Sequence, residues 1–326
     1  MVEPQGQSYF YRAYGFKIRS EIEFPELQAC PPQEAEIVIS WLSTPPTPWT
    51  KSQGHAWRFY AHSFALRLVG IAEYAVDHGT HIRIFPANQA DPLLVRIYCI
   101  TVCMAAALMQ RGQFLLHASG IIYRNLVWLF AGESGAGKSS IAAELRKRGF
   151  PIFTDDTCLL QADPKDASSI LVNPSYPMLK LTAETIDALA DPQYEKKNRI
   201  WPDTEKFGQR LSDPSFGRAL PLGGILVLSK SDASLQHLVC QELLGNSAFL
   251  ALAAHTYRRE FIHERSLQRA HLALFGMMAD CVPIARMSRP PHISLSSTGD
   301  AVETWLREVP RKTAQAKRLD GTCQGA

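Results

Sequence analysis

The chain is poor in several features that would have assigned it to a large class at once. Its seven cysteines are scattered through 326 residues, odd in number and without a C-x-x-C pair. That pattern supplies neither a disulfide framework nor the ligand spacing of a zinc site. Cys99 and Cys103 share a helical face at i and i+4, but in an apolar stretch, where thiols act as packing groups. The net charge is only +3, so the clustered basic surface that nucleic acid requires is absent and no nucleic-acid partner is expected. The longest apolar stretch, Cys99 to Met109 between Arg96 and Arg111, falls short of the roughly 20 residues that cross a bilayer. A buried helix, without membrane contact, is expected there. The N-terminus has no basic region leading into an apolar run, so no secretory signal is expected and a reducing cytoplasm is the expected location. No internal repeat is found. With 46% hydrophobic and 20% charged residues, what remains is an ordinary folded chain of one large domain or two.

What the chain does have is concentrated between residues 114 and 160. Gly132, Glu133, Ser134, Gly135, Ala136, Gly137, Lys138, Ser139 and Ser140 form a complete G-x-x-x-x-G-K-[ST] loop. Each residue type has a physical duty. The glycines let successive backbone N–H groups curl around phosphate oxygens. Lys138 supplies a cation to the β- and γ-phosphates, and the Ser139 hydroxyl can ligate Mg²⁺. Leu126 to Ala131 is a continuous apolar run, as in a buried parallel strand. Ser139 to Arg148 reads as a helix, with Ile141 and Leu145 on one face, cations in its last turn and Gly149 as its stop. Strand, glycine loop and helix together put phosphates at a helix N-terminus, where dipole and free N–H groups favour anions. An isolated tight turn would not need this context, so the segment is read as a nucleotide site.

Phe150 to Thr154 is a short apolar strand that ends in Asp155-Asp156. Adjacent carboxylates at a strand's carboxyl end sit where ligands bind in open α/β sheets. One can hold Mg²⁺ while the other accepts the proton of an attacking hydroxyl. The plainer alternative is a turn or helix cap, both of which Asp favours.

Taken together, Leu116-His117-Ala118-Ser119-Gly120, the glycine loop, Glu144-Leu145 with Lys147-Arg148-Gly149, and Thr154-Asp155-Asp156 resemble the catalytic domain of HPr kinase/phosphorylase. The resemblance covers about residues 114–160 well and extends weakly to about 310. It implies an α/β P-loop kinase core that uses ATP and Mg²⁺ to phosphorylate a serine hydroxyl, with a homo-oligomer possible. Residue by residue, it implies Lys138 and Ser139 on phosphate and metal, Asp155 as general base and Asp156 as metal ligand, with these two roles exchangeable. His117 would stand beside the pair; a structural histidine at a strand end is the alternative. The chain departs from the family after the aspartates. An acid-bearing segment is replaced by Asn173 to Leu181, which carries Lys180 instead. That argues against reverse phosphorolysis and against HPr itself as acceptor. The N-terminal segment Tyr11 to Ile18, followed by Glu21 and Pro25-Glu26-Leu27, is similar to that of HPr-kinase-like enzymes from lasso-peptide gene clusters. Those enzymes phosphorylate the C-terminal serine of a precursor peptide.

The remaining chain supplies context. Residues 1–92 read as a β-rich unit, with Glu36 to Trp41, Trp57 to Tyr60, Phe64 to Leu68 and His81 to Phe85 as strands and Pro45, Pro46 and Pro48 in a loop. An antiparallel arrangement is expected. Residues 93–310 read as the catalytic domain, opening with a helix from Leu93 to Gln110, and 311–326 as a flexible basic tail. A basic, aromatic-bearing segment contains Lys196, Lys197, Arg199, Trp201, Lys206, Arg210 and Arg218. Of these, Lys196, Lys197, Arg199, Arg210 and Arg218, with Lys180, are the candidates for holding an acidic peptide or its terminal carboxylate. A solvated charged loop is the alternative. The second cluster, Tyr257-Arg258-Arg259 to Arg265, has the spacing of an exposed helix face.

The expected activity is therefore ATP-dependent phosphorylation of a peptide serine. A small-metabolite kinase and a nucleotide-dependent regulatory protein are the rivals. The second aspartate speaks against pure nucleotide sensing, which needs one metal-holding carboxylate.

Overall fold

A computed structural model describes residues 7–46, 56–60, 62–197, 199–200, 204–211, 218–262 and 264–309. Pro48, Asn198, Trp201, Pro202 and the expected tail 311–326 lie outside the described residues.

The N-terminal sheet is built from β1 (Tyr9–Ala13), β2 (Phe16–Ser20), β3 (Gln28–Ala29), β4 (Ile37–Trp41), β5 (Ala56–Tyr60), β6 (Ser63–Leu68), β7 (Ala72–Asp77) and β8 (His81–Pro86). Its spatial order is β3-β1-β2-β4-β8-β7-β6-β5. The expected antiparallel arrangement needs correction: β2 and β4 pair in parallel, as do β4 and β8. Residues 21–36 carry the chain back for one crossover, and the β5–β7 meander fills the other, the long connections parallel pairing demands. Alternation places Ile18, Ile37, Ile39, Phe64, Tyr74, Ile82 and Ile84 on one buried face.

That face is covered by α1 (Pro92–Tyr98), a π-helical turn (Cys99–Cys103) and α2 (Met104–Gln110). Asp91 caps the start by accepting from the Leu93 N–H at 2.8 Å. Val95, Ile97, Ile100, Met104 and Leu108 share one core with the sheet, together with Leu115 and Leu159 from the second sheet and Tyr176 just past its strand Asp166–Pro174. The helix thus bridges the two expected units instead of merely opening the second. Its full helical run, Pro92–Gln110, is 19 residues long and, by length and composition, apolar enough to cross a membrane. The expectation that no segment reaches that length is therefore corrected. That run is mostly buried inside the protein, as in a core helix, and each buried aliphatic side chain contributes about 1.5–3 kcal/mol.

The second sheet holds β9 (Phe114–Leu116), β10 (Ala118–Tyr123), β11 (Leu126–Gly132), β12 (Ile152–Thr154), β13 (Cys158–Asp163), β14 (Asp166–Pro174), β17 (Leu220–Leu228), β18 (Val239–Glu242) and β19 (Ile284–Ser288). Between its strands lie α3 (Lys138–Lys147), the hairpin of β15 (Met178–Thr182) and β16 (Lys206–Arg210), α4 (Ala183–Leu189), α5 (Gly245–Ala254) and α6 (Arg265–Cys281); α7 (Leu295–Glu308) follows. Trp128, Phe130, Leu226 and Leu228 pack with α3 and α7 on one face, and Val127, Leu129, Ile225 and Val227 with α5 and α6 on the other. The result is a three-layer, mixed α/β arrangement. Arg124 and Asn125 form the β10–β11 link with φ of 52° and 60°, as a tight hairpin turn requires.

Pairing directions assemble the site. β12 is antiparallel to β10, and β10 is antiparallel to β11. The carboxyl ends of β11 and β12 and the start of β10 therefore meet at one sheet edge. The apolar run 126–131 is parallel only on its β17 side.

Candidate active site

The glycine loop leaves β11 at Gly132 and enters α3 at Lys138. Gly132, Gly135 and Gly137 have φ of 147°, 84° and 96°, which L side chains rarely adopt. At Gly132 a Cβ would also stand 2.4 Å from the Leu228 carbonyl oxygen. The loop encloses Lys138, whose Nζ donates to the carbonyls of Gly132 and Glu133 at 2.9 and 3.0 Å. Burial lowers the Lys138 pKa, and the carboxylates of Asp155 and Asp156 oppose that shift. At the rim, Glu133 pairs with Lys230 at 2.8 Å. The far end of α3 is anchored by Arg148, which bonds Glu144, the Ser296 carbonyl and Asp300. Gly149, at φ 93°, ends the helix as the sequence predicts.

Asp155 is 1% exposed. Its Oδ1 accepts from Ser119 Oγ at 2.5 Å and from Ser139 Oγ at 2.8 Å, and its Oδ2 accepts from the Lys180 N–H at 2.8 Å. Burial is the largest influence on its pKa and raises it, against the lowering by these donors.

Asp156 is the more open of the two. Its side chain is 21% exposed and its Oδ2 lies 2.6 Å from Lys180 Nζ. Burial alone would raise its pKa, but Lys180, then His117 and Lys206, hold it at about 2. Its carboxylate is charged throughout the neutral range. The Lys180 ammonium is correspondingly driven well above its ordinary pKa: burial opposes the charge, and Asp156 overrides it. His117 Nδ1 lies 2.5 Å from the Asp156 carbonyl oxygen; since a carbonyl only accepts, Nδ1 carries the proton. Burial lowers the His117 pKa despite the nearby carboxylate. Tyr257 flanks the imidazole with ring centroids 5.9 Å apart.

Lys138, Ser139, His117, Asp155, Asp156 and Lys180 line a cleft of about 570 Å³, which also holds Lys206, Arg289, Thr185 and Glu184. The structure thus brings together the loop, His117, both aspartates and Lys180. It does not bring in the other expected cations. Lys196 pairs with Asp187, Lys197 with Glu195, and Arg199 approaches Glu205 at 4.0 Å. Arg210 donates to the Pro25 carbonyl, and Arg218 does not line the cleft. In their place stand Lys206, at the opposite end of β16 from Arg210, and Arg289, just past β19. The Tyr257 cluster is not a helix face either. Residues 259–261 form a 3₁₀ turn before α6, and Tyr257 is turned against His117. Ser119 lies in the strand motif 116–120, but sequence reasoning assigned it no role; Arg289 carries no local signal.

Chemically, the cleft offers an anion-binding loop with a lysine, two oxygen donors in contact across Ser139 and Asp155, and one ionised carboxylate beside them. Among the described residues no group of three His, Cys, Asp or Glu side chains could hold a metal.

No family model matches the chain, and no curated protein matches it. Among solved structures, the HPr(Ser) kinase/phosphatase from Coxiella burnetii aligns over 64% of this chain and 99% of that one, at 10% identity and a TM-score of 0.31. At that overlap the functional reading stands on the geometry of the cleft.

Proposed function

We propose that this chain is an ATP-dependent kinase that transfers the γ-phosphoryl group to a serine hydroxyl of a peptide. The observation that carries the reading is the Ser139–Asp155 hydrogen bond of 2.8 Å. It joins the glycine loop to the aspartate pair, so nucleotide phosphates and acceptor would share one cleft. Phosphoryl transfer asks mainly for positioning and charge stabilisation, and Lys138, Arg289 and the loop N–H groups supply both for a triphosphate.

The donor set fits Mg²⁺. The ion prefers oxygen and keeps several waters, so one or two protein oxygens suffice beside the phosphates. Ser139 and Asp155 would hold it, and it would supply positive charge against the negative charge of the phosphates. Asp155 is enclosed and touches the loop serine; Asp156 is charged and open to the cleft. This contrast supports the exchanged assignment, with Asp155 on the metal side and Asp156 receiving the acceptor's proton. His117 and Lys180 fix where the Asp156 carboxylate points.

The acceptor we propose is a serine at or near a peptide C-terminus, as in a lasso-peptide precursor. Support comes from Lys206, a cleft cation in no ion pair among the described residues, and from the N-terminal resemblance to the lasso-cluster kinases. Incubation with Mg-ATP and separate pools of peptides and metabolites, read by mass spectrometry, tests the reading. Phosphorylated serine peptides support it. Modification confined to the metabolite pool would replace it with a small-molecule kinase.

A further inference from the structure

The segment Tyr11 to Leu27 has no catalytic residue, yet its hairpin tip reaches the site. Tyr14 and Gly15 connect β1 to β2 with φ of 55° and 82°. Tyr14 is 3% exposed; its N–H donates to the Pro174 carbonyl at 2.9 Å. Its hydroxyl lies 2.6 Å from Thr157 Oγ1, a buried contact between residues 143 apart in sequence. Gly15 sits so close to Asn173 that a Cβ would stand 2.6 Å from Oδ1. The hairpin and the turn that follows it are braced from behind. Tyr11 Oη accepts from the Phe24 N–H at 2.8 Å, and Arg96 grips Glu26 through Nε and Nη2 at 3.0 and 2.9 Å.

What the tip touches is strained. Asp156 has φ 71°, and the Thr157 N–H donates to the Asp155 carbonyl at 2.9 Å. An i→i+2 bond across a central residue of positive φ is the rarer, strained form of γ-turn. Such a conformation persists only where its surroundings over-determine it. The second sheet and its hairpin supply several restraints: His117 Nδ1 on the Asp156 carbonyl, Lys180 on its carboxylate, and Thr154 Oγ1 donating to the Thr157 carbonyl at 2.8 Å. The Tyr14 hydroxyl is the restraint that arrives from the other sheet.

We infer that the Tyr14–Gly15 tip is a positioning element that holds the Asp155–Thr157 turn in the conformation presenting Asp156 to the cleft; its kinetic consequence rests on the kinase reading. Tyr14 touches no reacting atom. It acts through Thr157, and the N-terminal sheet thereby becomes part of the catalytic unit.

The test compares the full chain with Tyr14→Phe, Thr157→Val and the double variant, which delete one or both hydroxyls while keeping shape. Hydrogen exchange of the 155–157 amides, read by mass spectrometry, should lose about tenfold of its protection in each single variant. The double variant should lose no more than either single one, since both delete the same contact. In peptide phosphorylation, kcat should fall about tenfold with KM for Mg-ATP nearly unchanged, because Asp156 faces the acceptor while Asp155, on the metal side, keeps its own bonds to Ser119, Ser139 and the Lys180 N–H. Should Tyr14→Phe fail to fold, Thr157→Val carries the comparison from the other side. Unchanged protection together with unchanged kcat would overturn the inference and leave the tip as packing. If the unmodified protein phosphorylates nothing, the kinase reading fails on its own, and the exchange data still decide whether the tip holds the turn.

Discussion

Ser139 Oγ lies 2.8 Å from Asp155 Oδ1, and Ser119 Oγ reaches the same oxygen at 2.5 Å. Two hydroxyls converging on one buried carboxylate oxygen fix Asp155 against the glycine loop, while Asp156, one residue on, is turned toward the cleft and Lys180. The two aspartates are therefore not equivalent, and their substitutions should separate.

Asp155→Asn should weaken Mg²⁺ dependence and Mg-ATP affinity together with turnover. Asp156→Asn should mainly lower kcat, by about 100-fold or more, with nucleotide binding retained, since a base acts on the hydroxyl in the transition state. Titration calorimetry with Mg-ATP beside steady-state rates distinguishes them. The reverse pattern would restore the opposite assignment, and full activity in both would reduce the pair to a turn.

Lys180 should govern the acid limb of the pH profile. The Asp156 carboxyl, held at about 2 by Lys180, His117 and Lys206, stays charged above that pH, so kcat/KM should not fall through Asp156 protonation between pH 5 and 8. In Lys180→Met the largest lowering influence is gone, burial then dominates, and the acid limb should move upward. The linkage has a defined sign: a carboxyl whose folded pKa is depressed adds stability above its unfolded pKa, near 4, and loses it as pH falls toward 2. Acid unfolding of Lys180→Met should therefore lack that contribution. An unmoved limb would remove Asp156 as the titrating base.

Gly132→Ala should abolish nucleotide binding. The new Cβ would meet the Leu228 carbonyl oxygen at 2.4 Å, on a backbone with φ 147°. Fluorescent-nucleotide titration checks this, and near-normal affinity would mean that the loop relaxes without harm.

Glu26→Ala should destabilise the fold by about 3–5 kcal/mol, because it strands the Arg96 guanidinium at a mostly buried contact between the β2–β3 connection and α1. Urea unfolding measures it; a loss under about 1 kcal/mol would mark the pair as a surface bridge.

On the peptide-kinase proposal, carboxylate recognition would fall to Lys206. A free-acid serine peptide should show a lower KM than its amide, and Lys206→Met should erase the difference, whereas Arg210→Met should not. Equal KM values for both peptides in the unmodified protein would exclude carboxylate recognition.

How far the sequence foretold this site depends on the range of the interactions. Gly132 to Ser139 and Asp155-Asp156 were legible because their geometry is local: glycines fix a loop, an apolar run fixes a strand, and the aspartates follow directly. Lys180 was visible as a departure from the motif pattern of the kinases that the sequence resembles. Lys206 and Arg289 were not, because long-range pairing brings them in. Thr182 stands opposite Lys206 in the β15–β16 ladder, and the parallel pairing of β19 with β17 carries Arg289 to the loop. The basic run misled for the same reason. Along an extended strand, four residues span about 13 Å, so Lys206 faces the cleft while Arg210 reaches Pro25. Tyr14 lies 143 positions from Thr157 in sequence, and only the packing of the two sheets reveals their contact.

The central claim is most directly tested by following the γ-phosphoryl group itself. With γ-labelled Mg-ATP and a serine peptide, the account predicts label on the peptide serine in step with ADP release, and none with Lys138→Ala, whose fold and melting temperature should be largely retained. Label released only as inorganic phosphate, or peptide labelling that survives Lys138→Ala, would contradict it.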